Sequence, residues 1–134
     1  MDTIVYKGLD ARCLIGAALL LLAGCGQSGP PQFHVTGEVT WRGQPVPAGM
    51  ITFTPDARQG NSGPQGFAAI HDGHYSTRQD WRGPVSGPHV VAVAGYDGKQ
   101  PTDEAPLGRM LFEEYRLEHT IPESQSSFDI SVPD

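Results

Sequence analysis

Few residues of this 134-residue chain are of a type and spacing that could do chemistry. His71 and His74 stand three apart around Asp72-Gly73, and two imidazoles that close could begin a zinc site. Zinc needs three or four protein ligands, so at least one more would have to arrive from elsewhere. The spacing spans a tight turn rather than one helix face, and Asp72 reads as a turn former. A small metal-dependent hydrolase built on His71 and His74 is therefore the weakest of three functional readings. No metal or cofactor is expected. His89 lies in an apolar run and is expected in the core, hydrogen-bonded to backbone, whereas His34 and His119 fall at strand positions that suit exposure. Nucleophilic catalysis needs a Ser or Cys beside a base, yet no serine sits on a Gly-x-Ser-x-Gly elbow. Gly60-Asn61-Ser62-Gly63 reads as a loop, and Glu113 and Glu114, being adjacent, point different ways on an extended chain.

Recognition by stacking is better represented. Trp81 lies between Asp80 and Arg82 in a Gly- and Pro-containing loop. An exposed indole there could stack on a sugar or a peptide; otherwise it anchors the loop over the end of the fold. Tyr96 and Phe112 have the same two readings. A carbohydrate-binding module that uses Trp81 is the second functional reading.

The remaining reactive group is a thiol. Lys7 and Arg12 precede the apolar run Leu14-Ile15-Gly16-Ala17-Ala18-Leu19-Leu20-Leu21, which closes on Leu22-Ala23-Gly24-Cys25. The layout is that of a secretory signal, and its last four residues resemble a bacterial lipobox. The resemblance implies that the Cys25 thiol receives a diacylglyceryl group, that residues 1–24 are removed, and that the new amino terminus is acylated. The interval from Cys13 to Cys25 is too short for the roughly 20 residues that cross a bilayer, and Pro30-Pro31 block an extension. Each buried CH₂ contributes about 0.8 kcal/mol, so one chain holds marginally and the implied three hold almost permanently. Residues 25–32 form a lipidated tether whose residues 26–32 reach about 25 Å.

Cleavage before Cys25 leaves residues 25–134, enough for one domain. Cys13 and Cys25 are the only cysteines, so no disulfide can staple that domain. The net charge of −6 argues against a nucleic-acid partner, which selects a basic face. It argues equally against docking on anionic headgroups by charge.

From residue 33 onward the hydrophobic pattern has period two. Val35, Val39 and Trp41 alternate with Thr36, Glu38 and Thr40; Pro45, Pro47 and Gly49 are expected to keep the next few residues out of regular pairing. Ile51 and Phe53 share a face of a second strand. Asp72-Gly73 between extended runs predicts a hairpin. Residues 89–96 form the most apolar strand, expected to be central and covered on both faces. Residues 100–114 are ambiguous: Leu107, Leu111 and Tyr115 would suit a short helix, although an irregular loop is preferred. Residues 116–121 are another strand, and Phe128, Ile130 and Val132 point inward from the last. About seven short strands with Gly- and Pro-rich turns predict an all-β antiparallel sandwich over residues 33–134.

Three stretches carry a family likeness. Val35-Thr36-Gly37-Glu38-Val39-Thr40, Gly43-Gln44-Pro45-Val46-Pro47 and Ile51-Thr52-Phe53-Thr54-Pro55 resemble the opening of carboxypeptidase regulatory-like domains. Asp72-Gly73-His74-Tyr75-Ser76 is similar to that family's turn-plus-tyrosine step, and 87–93 to its later strand. The resemblance implies a transthyretin-like Greek-key β-sandwich without catalytic activity. His89 stands where the family usually has Tyr, and Trp41 and the segment around Trp81 depart from its pattern. The leading functional reading is thus a lipid-anchored module on the extracytoplasmic side of a membrane. It holds to the bilayer through acylated Cys25 and meets an envelope protein or, in the second reading, a glycan.

Overall fold

The computed structural model describes residues 29–80 and 82–134. Cys25, the signal segment and Trp81, and with them the expected anchor and stacking residue, lie outside the described residues. Among the described residues nine strands follow in order: β1 (Val35–Trp41), β2 (Gln44–Pro45), β3 (Ala48–Pro55), β4 (Gly66–His71), β5 (His74–Ser76), β6 (Gly87–Tyr96), β7 (Tyr115–Ile121), β8 (Ser126–Ser127) and β9 (Ile130–Val132). Among the described residues the only helix is a single 3-10 turn, Ala57–Gln59. Buried Asp56 starts that turn by accepting the Arg58 N–H at 3.0 Å.

Hydrogen bonding runs in the order β2-β1-β5-β4-β3-β6-β7, with β8 and β9 added alongside β1. β4 and β5 share one paired position, His71 with His74. The sheet folds over at that hairpin, so β4-β3-β6-β7 forms one layer and β1 with its partners the other. Val35, Val39, Tyr75, Ile130 and Val132 come from the second layer. They close on Ile51, Phe53, Ala68, Ile70, Val91, Val93 and Ile121 of the first, all inside one buried cluster. Burying a side chain such as Ile51 or Phe53 contributes about 1.5–3 kcal/mol, and this all-β sandwich rests on such burial without any crosslink.

Both two-residue turns follow from local stereochemistry. Asp72 and Gly73 have φ of 48° and 79°, and Arg42 and Gly43 have 52° and 73°. Positive φ at both central positions matches the twist of the flanking strands. A Cβ on Gly73 would also lie 2.6 Å from the Pro45 side chain, because the hairpin docks under residues 45–47. Asp72 N–H donates to Pro47 O and Gly73 N–H to Val46 O.

Several expectations are corrected. Gln44 and Pro45 do pair, with Trp41 and Thr40, and Gly49 lies inside β3, paired with Ile70 on one side and Gly95 on the other. Strand β6 is central, but only one face is buried: His89, Val91, Val93 and Gly95 alternate with partly exposed neighbours. Among the described residues no second layer covers its outer face. The last segment is two strands running parallel to β1, not one antiparallel strand. It breaks at Phe128-Asp129, where the Asp129 carboxylate takes the Glu38 N–H at 2.9 Å in place of a backbone carbonyl. Residues 100–114 are turns with one bridge, Met110 to Tyr96, and contain no helix. His34 and His119 are half-buried rather than exposed. β7 alternates so that His119 shares the inner face with Leu117 and Ile121, which turns its ring onto Phe128.

Candidate functional site

The first candidate residues are the histidines. His71 and His74 sit directly opposite one another at the hairpin, both exposed. His74 Nδ1 lies 3.6 Å from Glu38 Oε1. Among the described residues no three His, Cys, Asp or Glu side chains converge as a metal site would require. His89 is fully buried and its Nδ1 meets Gly87 O at 2.8 Å, which fixes Nδ1 as the protonated nitrogen. Its cross-strand partner His119 stacks on Phe128, ring centroids 3.6 Å apart and planes 9° from parallel. Burial, and then the neighbouring His89, holds the His119 imidazole below its ordinary pKa. Both rings are thus seated as packing groups. Asn61, in the Gly60–Gly63 loop, spends its amide on Ser86 O and Pro88 O. Glu114 is paired with Arg116 at 2.7 Å.

The concavity with the composition of a binding site lies elsewhere. At the C-terminal end of β1, Trp41, Arg42, Gln44, Pro45, Val46 and Pro47 face Asp97, Lys99 and Leu111 across a groove of about 290 Å³. Its floor is apolar. Val46 is fully buried, and Trp41 leans on Phe112 at 5.7 Å between centroids, tilted 48°. Phe112 therefore anchors its loop against the core cluster, and Tyr96 is half-buried at the end of β6. The turn Arg42-Gly43 folds the Arg42 guanidinium over the Trp41 ring, 4.3 Å from its centroid, while its Nε donates to Asp134 at 2.9 Å. Both partners are solvent-exposed, so the bridge itself contributes little.

The opposite wall is built by one carboxylate. Asp97 Oδ1 accepts the backbone N–H groups of Lys99 and Arg109, each at 2.9 Å. Those bonds, the Lys99 one foremost, hold the Asp97 carboxyl below the usual carboxylate range. With Asp97 committed to the loop, the rim presents Arg42 and Lys99, and Arg109 lines an adjoining hollow of about 500 Å³ that shares Asp97 and Lys99. The apolar groove is thus rimmed by two cations, Arg42 and Lys99, beside the Asp97 carboxylate and the Asp134 carboxylate that Arg42 meets. The lining holds no Ser, Cys, His or Tyr to attack or exchange protons with a substrate. It can hold an apolar group and pair an acidic one.

Sequence reasoning missed this groove. Trp41 beside Pro45-Val46-Pro47 was a usable signal, since a large aromatic and two prolines crowd seven residues. The half supplied by 97–111 was not, because only the β3–β6 pairing of Ala48 with Tyr96 brings it near. No family model matches the chain, and no curated protein matches it.

Proposed function

We propose that this protein is a lipid-anchored, non-catalytic binding module of the cell envelope, held at the extracytoplasmic side of a membrane through acylated Cys25. One geometric observation supports this reading best: the tether and the groove belong to opposite ends of β1. The tether enters at Val35, and the groove is built at Trp41, the last residue of the same seven-residue strand. A strand of that length spans about 23 Å. A body moored by the residues before Val35 therefore turns its groove away from the lipid surface, toward whatever the compartment offers. The apolar floor and the Arg42–Lys99 rim suit a protein segment bearing an aliphatic side chain beside a carboxylate.

Cell fractionation with a photo-crosslinking side chain tests both parts. Cys25→Ser should shift the protein out of the membrane fraction or leave it unprocessed. A crosslinker at Gln44, on the groove rim, should give an adduct that Leu111→Asp removes, and one at Gln125, near the tether end, should not. Membrane retention of a Cys25→Ser protein that has lost residues 1–24, or equal adducts at Gln44 and Gln125, would refute the reading.

A further inference from the structure

We infer that β7 is a self-association edge, on which a second copy of this chain pairs antiparallel with Leu117 at the two-fold axis. The direction of the backbone groups on β7 follows from the pairing of β6. Asp97 N–H donates to Arg109 O, and Leu111 N–H to Gly95 O, so odd-numbered positions on and just past β6 direct their backbone toward β7. Even-numbered positions face β3, as Pro88 O does in accepting the Asp56 N–H. The β6–β7 register pairs His89 with His119, Val91 with Leu117 and Val93 with Tyr115. These are the hydrogen-bonded pairs, so the N–H and C=O of Arg116, Glu118 and Thr120 face away from the sheet. Among the described residues nothing bonds to those outward groups.

An open edge of this kind invites another strand, and the charges choose which. A two-fold pairing must match outward residues with outward residues. Centred on Glu118 it would stack Glu118 on itself, and centred on Arg116 it would stack Arg116 on itself. Centred on Leu117 it sets Arg116 of each copy opposite Glu118 of the other, in two hydrogen-bonded pairs. Like charges directly opposite are destabilising and unlike charges stabilising, so this register wins. The inner face agrees. Leu117, Tyr115 and His119 stay half-exposed on the core side, although their partners Val91, Val93 and His89 are fully buried. In the pair, Leu117 covers Leu117, and Tyr115 covers His119. The existing Arg116–Glu114 and Arg58–Glu118 ion pairs are exposed and give way readily.

Sedimentation of the full chain in density-matched detergent tests the inference, which stands apart from the groove reading. The wild type should dimerise. Arg116→Glu and Glu118→Arg should each weaken the dimer about tenfold or more, since two symmetric contacts turn repulsive. The double exchange Arg116→Glu/Glu118→Arg should restore affinity to within about threefold of wild type. Glu118→Pro, which removes an outward N–H and none bonded to β6, should abolish the dimer with little loss of thermal stability. A monomeric wild type, a dimer indifferent to the single exchanges, or a double exchange that fails to recover would each overturn it.

Discussion

The hydroxyl of Tyr75 donates a hydrogen bond to the main-chain oxygen of Phe128 at 2.5 Å, across the two strands that flank β1. Gly37 lies beneath that bond, where a Cβ would fall 2.0 Å from the same oxygen and 2.9 Å from the hydroxyl. The break between β8 and β9 is held there by one phenol and one missing methyl group. Tyr75→Phe leaves the Phe128 carbonyl without its partner and should cost about 1–3 kcal/mol by denaturant unfolding. Gly37→Ala should cost more, because backbone must move. Equal stability of Tyr75→Phe and wild type would contradict the role given to the hydroxyl.

Strand β3 offers a test within four residues. Ile51 and Phe53 are fully buried, and Met50 is 45% exposed. Ile51→Ala should cost about 2–5 kcal/mol and Phe53→Ala about 3–5, whereas Met50→Ala should stay within about 0.5. Comparable losses for all three in chemical denaturation would mean that the faces are misassigned.

His119 makes stability depend on pH. Its folded-state pKa lies below the ordinary 6.5, through burial first and His89 second. The unfolded chain therefore binds the proton more readily, and stability is greatest above about pH 6.5. It falls as the pH drops through the lower, folded value. Thermal melts between pH 5 and 7.5 should show this slope. His119→Phe, which retains an aromatic against Phe128, should flatten it; an unchanged slope would assign the effect elsewhere.

Asp97 gives the groove its second wall. Asp97→Ala removes the acceptor for the Lys99 and Arg109 amides, and both should exchange with solvent at least tenfold faster while core amides of β3 and β6 do not change. If those two amides keep wild-type protection, the wall is held by something other than this carboxylate.

The strands that carry alternating apolar residues were legible in the sequence because the core has only one face to fill from each: Val35/Val39, Ile51/Phe53 and Ile130/Val132 each repeat every second position. The Asp72-Gly73 hairpin was legible for a different reason, since positive φ at both turn positions restricts the residue types. What stayed hidden depends on distant partners. His119 looks exposed until Phe128, from the far layer, is placed against it. The outer face of β6 looks buried because Val90, Ala92 and Ala94 are apolar, although these are small residues left partly exposed on the outer side of the sheet. The parallel pairing of β8 and β9 with β1 joins the two ends of the domain, and the break between them sets Asp129 on the Glu38 amide, a contact no periodicity announces. The groove was missed: Trp41 beside Pro45-Val46-Pro47 offered a local signal for one wall, but the other wall is brought near by the distant β3–β6 pairing.

Mass spectrometry of the amino-terminal peptide from membrane-extracted protein tests the central claim most directly. The account predicts a peptide that begins at Cys25 and carries a diacylglyceryl thioether and an amide-linked acyl chain. A water-soluble protein whose first peptide still contains residues 1–24, or one that begins at Cys25 with an unmodified thiol, would contradict it.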